Sequence, residues 1–443
     1  MQFFGHLYIV LRRQTFYNEN RTYIRKSVMV LKCIRFIHAA DLHLDSPFAG
    51  LRQLPQALFE RVKNSTFRAF ETICDLALAK KVDFLLICGD LYDGEDRSLK
   101  AQIRLRKQFE RLQEANITVF VLHGNHDHLS GTWTKLDMPA NVRFFSANVE
   151  TKSFTAENGA IVHLYGFSYP KRHVFEKKVD EYRKIGEADF HIGMLHGYLE
   201  GGNSLHQPYA PFALRDLLEK GMDYWALGHI HQRLILHEHP FVVYPGNIQG
   251  RNRKETGPKG CAIVEMDEFG TTVSFLETAD ILWEKRTVSA KGVEDFNALY
   301  AACRRTMEEA RKDAQGTFLQ LELQDVENLN GETLEKTKNG ELMEVLQEGE
   351  ESEQNFVWVH HLELPDLLSA PKMKEYEFIR QEMQKTIEVL QEEGGTVEEA
   401  VSPLFSHVYA GRYLDPFTEE EKRMLLAEAE SVVLNKVRGG AKQ

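Results

Sequence analysis

Between Ile34 and about Leu227, short apolar runs alternate with longer stretches whose apolar residues recur at helical spacing. RFIHAAD, DFLLICGD, ITVFVLHG, IVHLYGFS, FHIGMLHG and DYWALGHI read as strands. DFLLICGD is apolar almost without interruption, which suits a strand covered on both faces. Ala57 to Lys80 carries Phe, Val, Ile and Leu at helical spacing, and Ser98 to Glu114 predicts a second, more charged helix. A shorter helix is expected near Pro211 to Glu219. This alternation predicts an α/β domain. From Leu234 to about Thr278 the pattern changes, and FVVYPGN and CAIVEMDEFGTTVSF predict consecutive hairpins.

Beyond Trp283, KRTVSA, a helix over Val293 to Arg311, TFLQLELQ, a second acidic helix and FVWVHHLEL predict a compact β-α-β-α-β unit. From about Ser369 onward the pattern is mainly helical. The expected organisation is an N-terminal extension over 1–33, an α/β domain over 34–282, a small α+β unit over 283–367 and a helical segment over 368–443. Met29 stands just before the first strong strand, so 1–28 reads as a loose extension or a start-site artefact.

A chain of 443 residues exceeds one average domain, in keeping with several units. The net charge of -12 looks wrong for a nucleic-acid binder until it is divided. Residues 1–290 carry about +3 and residues 291–443 about -15, so the acidity belongs to the C-terminal third. The five cysteines show no CxxC spacing and read as small buried hydrophobes in a reducing compartment. No apolar run approaches the about eighteen residues that a membrane span requires. The opening places its apolar run before its Arg and Lys, the reverse of a secretory signal, and the expected location is the cytoplasm.

Polar residues gather where the strands end. Asp41-Leu42-His43, Gly89-Asp90-Leu91-Tyr92-Asp93, Gly124-Asn125-His126-Asp127, Leu195-His196-Gly197 and Gly228-His229-Ile230-His231 each follow an apolar run. Ligands bind at such ends in open α/β sheets, and five clusters in order are hard to explain as packing. In DLH and HIH, residues i and i+2 of an extended chain face the same way, so both would reach one cavity. Carboxylates, imidazoles and one amide suit Mn(II), Fe(II) or Zn(II) better than Ca(II). About eight such ligands are too many for one ion and suit two.

DxH, GDxxD, GNHD, a later His and GHxH, in that order over roughly Arg35 to Arg251, resemble the calcineurin-like metallophosphoesterases. Within them, LHG and YPGNIQG most resemble the SbcD-type DNA repair exonucleases and their bacterial YhaO-like branch. The resemblance implies a four-layer α-β-β-α sandwich whose α+β unit caps the catalytic domain. It implies one metal on Asp41, His43, Asp90 and His231 and another on Asp90, Asn125, His196 and His229, with Asp90 bridging. Mn(II) is the expected metal, with Fe(II), Zn(II) or Mg(II) as substitutes. His126 would be the catalytic group beside the metals, and Asp127 would orient it. The implied activity is phosphodiester hydrolysis on DNA, an exonuclease or endonuclease in repair. The implied partners are DNA and an SMC-like coiled-coil ATPase docked on the C-terminal helices, with a homodimer common among the similar nucleases.

Asp93 reads as a carboxylate that orders its loop or its neighbours rather than as a ligand, and His38, His123 and His128 as structural. Asp45 departs from the nuclease pattern, which often has Gly after DxHL, and this puts the shape of the first loop in doubt. The loop Arg251-Asn252-Arg253-Lys254 either grips a phosphate backbone or is an ordinary exposed basic loop. A phosphodiesterase for small or cyclic phosphodiesters would use the same ligands. A scaffold without catalysis would be expected to lack a ligand, and every motif position is filled.

Overall fold

The computed structural model describes residues 9–18, 21–30, 32–46, 54–94, 98–131, 134, 136–201 and 209–365. In the C-terminal stretch it describes 384–387, 400–402, 417–418, 421–426 and 429, so most of the expected docking segment lies outside the described residues. The chain forms two compact units: one of 1–286, 304–321 and 343–361, the other of 287–303, 322–342 and 362–443. Residues of the expected 283–367 unit therefore contribute to both. In the N-terminal extension, β1 (Ile9–Asn18) and β2 (Arg21–Val30) pair as an antiparallel hairpin.

The first unit is built on two six-stranded sheets. One runs β14-β13-β3-β4-β5-β6, from β3 (Cys33–Ala39), β4 (Phe84–Cys88), β5 (Thr118–Leu122), β6 (Val142–Phe144), β13 (Gly260–Asp267) and β14 (Gly270–Glu277). Strands β3 to β6 are parallel, and β13 joins β3 antiparallel. The other runs β11-β12-β10-β9-β8-β7, from β7 (Glu150–Thr155), β8 (Ile161–Gly166), β9 (Phe190–His196), β10 (Tyr224–Gly228), β11 (Leu234–Glu238) and β12 (Phe241–Tyr244). Strands β8, β9, β10 and β12 are parallel, and the outer strands are antiparallel.

Period-two alternation sorts the apolar residues into layers. Ile34, Phe36, Phe84, Leu86, Phe120 and Leu122 point from the first sheet into a core shared with Val162, Leu164, Ile192, Met194 and Tyr224 of the second. Phe36 stacks on Phe84 at 4.9 Å within it. The alternate residues, Ile37, Leu85, Ile87, Val119 and Val121, face outward onto helices α1 (Gln56–Lys80) and α2 (Leu99–Glu114). Helix α1 buries Leu58, Val62, Phe70, Ile73 and Ala77, and Ser98 caps α2 by accepting from the Ala101 amide. On the far side, Trp225, Leu227 and Tyr244 are covered by Tyr182, Phe212 and Leu217, the last from the short helix α3 (Leu214–Leu218). The result is the expected α-β-β-α layering, with a thin outer layer on the second sheet.

Strand β15 (Ile281–Ser289), helix α4 (Phe296–Ala310), strand β16 (Gly316–Gln324), helices α5 (Gly331–Lys338) and α6 (Glu341–Gln347) and strand β17 (Val357–Glu363) follow. Their strands pair in the order β15-β16-β17. In the first unit, Trp283 stacks on Phe318 at 4.8 Å in a cluster with Leu58, Val62 and Phe356. In the second, Asn330 caps α5 through the Thr333 amide. Among the described residues no helix is long and apolar enough to cross a membrane.

Candidate metal centre

All five polar clusters meet at the C-terminal ends of β3, β4, β5, β9 and β10. The two parallel sets end side by side, so loops from both sheets bring their polar side chains together. Asp41, His43, Asp90, Asn125 and His196 are buried.

The local backbone differs from the extended chain expected of DLH. Asp41, His43 and Asp90 take φ of 51°, 43° and 51°, and His229 takes 98°. Non-glycine residues avoid this region, and strain of this kind concentrates where a site demands it. The turns are held by the Asp41 amide donating to the Gly89 carbonyl and the His43 amide to the Asp90 carbonyl. Asp41 and His43 are thus brought to one group of donor atoms through two left-handed turns rather than through pleat alternation. Asp45 takes φ 64°, a conformation that the Gly of the nuclease pattern adopts without strain and Asp tolerates.

Glycines leave the room that the ligands occupy. A Cβ on Gly89 would lie 2.1 Å from the His196 ring, and one on Gly124 would lie 2.2 Å from Asp90 Oδ1. Side chains at either place would displace a candidate ligand.

The donor atoms form two connected groups around Asp90. His43 Nε2 lies 3.0 Å from His231 Nε2 and 3.9 Å from Asp90 Oδ2, and His231 Nε2 lies 4.0 Å from Asp41 Oδ1. On the other side, His196 Nε2 lies 3.4 Å from Asp90 Oδ2 and 3.0 Å from Asn125 Oδ1, which is 3.2 Å from His229 Nδ1. Asp41, His43 and His231 offer atoms within 4.8 Å of one another, as do Asp41, Asp90 and His196. Geometry therefore joins all seven expected ligands and gives Asp90 access to both groups.

The donor chemistry fits cations. His196 Nδ1 donates to the Cys88 carbonyl at 2.9 Å, which leaves the Nε2 lone pair for a second proton or a metal. Burial would lower the His196 pKa, but Asp90 and then Asp41 push it up to about 9. Burial likewise opposes charge on Asp90, yet His196, His43 and His126 hold its carboxyl well below the usual range. Burial lowers His43, and burial with His196 takes His229 down to about 3, so both rings keep a lone pair for a cation.

Two carboxylates orient these imidazoles. Glu255 Oε1 lies 2.8 Å from His231 Nδ1, which leaves Nε2 facing His43. Burial raises the Glu255 pKa, but His231 and then Arg251 bring it down to about 2. Asp93 Oδ1 lies 3.2 Å from His126 Nδ1 and 3.3 Å from His43 Nδ1. Despite burial, these two rings hold Asp93 far below the carboxylate range, and Asp93 with Asp90 raises His126 against its own burial. His126 Nε2 makes no hydrogen bond among the described residues.

This corrects the role expected of Asp127. Its oxygens accept from the Gly124 amide at 2.6 Å and the Leu91 amide at 3.1 Å, and Oδ2 lies 3.0 Å from His123 Nδ1. Asp127 is fully buried and ties the β4 and β5 loops together, while the carboxylate on His126 is Asp93. Sequence reasoning also missed Glu255, whose only local signal is its place at the end of the basic loop. In that loop Arg251 turns inward, 3.2 Å from Asp93 Oδ2 and 3.6 Å from Glu255 Oε1, while Arg253 and Lys254 are exposed. His38 is structural: it lies 3.0 Å from the Tyr224 hydroxyl and from the Leu227 carbonyl between the sheets. His123 stacks on Phe144 at 5.1 Å, and His128 lies 3.1 Å from Ser130 Oγ.

A two-group donor site at the mouth of a double-sheet sandwich marks a metal-dependent phosphoester hydrolase, and the chain belongs to the calcineurin-like metallophosphoesterases. The calcineurin-like phosphoesterase family matches residues 34–233. The chain is 47% identical over 334 residues to the metallophosphoesterase YhaO of Bacillus subtilis, covering 74% of this chain and 81% of YhaO. It is 27% identical over 233 residues to the DNA double-strand break repair protein Mre11 of Thermoplasma acidophilum, covering 49% of this chain and 57% of that protein. Mre11 of Methanocaldococcus jannaschii is 28% identical over 275 residues, covering 59% of this chain and 71% of its own.

Proposed function

We propose that this phosphoester hydrolase is a two-metal phosphodiesterase acting on DNA, trimming or degrading ends during repair. The observation that carries the chemistry is the placement of Asp90 between two donor groups, with His126 beside them on Asp93. The similarity to Mre11 proteins of DNA double-strand break repair supports DNA as the substrate. Two divalent cations, Mn(II) by preference, would supply charge neutralisation for the phosphodiester and acidity for the attacking water. Asp41, His43, Asp90 and His231 would hold one, and Asp90, Asn125, His196 and His229 the other. Asp93 fixes the His126 ring through Nδ1, leaving Nε2 to donate a proton to the leaving oxygen or steady the phosphate.

The test uses purified protein, Mn(II) and linear duplex DNA labelled at either end, beside His126→Ala. Cleavage by the parent that is lost in the variant supports the reading and gives the polarity. Hydrolysis of bis(p-nitrophenyl) phosphate without any DNA cleavage would favour a small phosphodiester substrate. We further propose a cytoplasmic location and an SMC-like ATPase bound after about Ser369, where MKEYEFIRQEMQKTIEVL carries amphipathic spacing. Deletion of 370–443 should abolish ATPase capture, and undiminished capture would remove that partner site. A homodimer is the proposed assembly, to be read by light scattering.

A further inference from the structure

Beside His229, three aromatic rings follow one another outward from the centre. Tyr209 lies 5.2 Å from the His229 ring, His173 stacks on Tyr209 at 5.5 Å and 19°, and Phe175 stacks on His173 at 5.7 Å and 12°. The last three planes are nearly parallel and offset, the arrangement aromatic rings prefer. The row ends in the open, since Phe175 is 52% exposed.

Its sequence origin is the segment Lys171-Arg172-His173-Val174-Phe175. Val174 is buried, and its carbonyl accepts from the Ala210 amide at 2.6 Å, so the alternate residues His173 and Phe175 are turned outward together. Lys171 and Arg172 are exposed beside them and form no ion pair among the described residues. Tyr209 is tied to the loop after His196, because its carbonyl accepts from the Tyr198 amide at 2.9 Å. An exposed Phe that only packed on its neighbours would need neither the parallel row nor the exposed Lys171 and Arg172 beside it, of which Lys171 also acts on the Glu176 carboxylate.

We propose that Phe175 and His173 form a stacking platform for unpaired nucleobases of the substrate strand, with Lys171 and Arg172 on its phosphates. This rests on the DNA reading and deepens it, because it names single-stranded or frayed ends as what the centre receives. Bases in a duplex are already stacked on each other, so only unpaired ones meet the open face of Phe175. Stacking reads no sequence, and the platform therefore serves any base.

The test uses the full chain in a His126→Ala background, which keeps DNA uncut, and a single-stranded oligonucleotide carrying 2-aminopurine. Binding should quench the fluorescence. Phe175→Ala should remove the quench and weaken affinity about tenfold, the scale of one stacked base, and Phe175→Trp should restore both. An abasic site at the stacked nucleotide should cost the parent the same factor and cost Phe175→Ala nothing. Replacing Lys171 and Arg172 by Ala should flatten the log-log salt slope by about 1.4, at roughly 0.7 per phosphate on single strands. An abasic penalty that is equal in the two proteins overturns the platform while leaving the DNA reading intact. A protein that hydrolyses bis(p-nitrophenyl) phosphate yet binds no oligonucleotide overturns both.

Discussion

Replacing Gly124 by Ala tests whether the crowding around Asp90 is functional. The backbone there lies outside the left-handed region, so alanine is conformationally acceptable and the effect is steric. The new Cβ would stand 2.2 Å from Asp90 Oδ1 and 2.8 Å from His196 Nε2. Comfortable non-bonded contact begins near about 3.5 Å, so the carboxylate must retreat by roughly 1 Å. Metal–ligand distances tolerate only about 0.2 Å, and a displacement of about 1 Å commonly lowers turnover about 100-fold. Gly124→Ala should therefore bind fewer than two Mn(II) per chain and lose at least about 100-fold in kcat/KM on bis(p-nitrophenyl) phosphate. Overpacking by one methyl costs about 1–3 kcal/mol, so thermal unfolding should shift by only a few degrees. Gly331→Ala, with nothing within 4 Å of the added carbon, is the control and should change neither. Gly124→Ala with two bound metals and parental turnover would refute the crowding argument.

Other consequences follow from the site's carboxylates and from the inter-sheet histidine. Asp93→Asn removes the negative charge that faces His126 Nδ1 and should lower turnover about 100-fold with a near-parental melt. Asp127→Asn, which disturbs the buried amides of Leu91 and Gly124, should instead destabilise by about 1–3 kcal/mol; the opposite pattern would restore Asp127 as the orienting group. Glu255→Gln weakens the orientation of His231 and should reduce metal affinity about 10- to 100-fold by calorimetric titration, and unchanged affinity would make Glu255 a loop residue only. Burial holds His38 at about 3 against an ordinary value of 6.5, so the unfolded chain binds the extra proton between them. Stability from this residue is full above about 6.5 and declines as pH falls toward 3, by about 5 kcal/mol in total. His38→Gln should flatten that part of the denaturation profile, and an unchanged slope would contradict it.

The strands and main helices were legible because period-two and helical patterns carry their own burial: Phe84, Leu86 and Cys88 face one layer, Leu85 and Ile87 the other. The seven candidate ligands were legible because each stands at or just past a strand's end, and parallel strands deliver their ends to one edge. The partners of those ligands were not. Asp127 follows His126 directly, but adjacent side chains diverge, and the loop spends Asp127 on backbone amides. Asp93 reaches His126 from the end of a different strand, and Glu255 reaches His231 from 24 residues downstream. Arg251 looked like part of a basic surface, yet two carboxylates draw it inward, a choice made by tertiary neighbours and invisible in the run of charges. The left-handed turns at Asp41 and His43 escaped notice for the same reason: the hydrogen bonds that fix them come from the β4 loop.

The most direct test of the two-cation centre is anomalous scattering at the manganese edge from crystals grown with Mn(II). The proposed two-metal reading predicts two peaks about 3.5–4 Å apart, the spacing usual for such pairs, with Asp90 between them, one beside His43 and His231 and one beside Asn125, His196 and His229. A single peak, or two peaks that do not share Asp90, would contradict it.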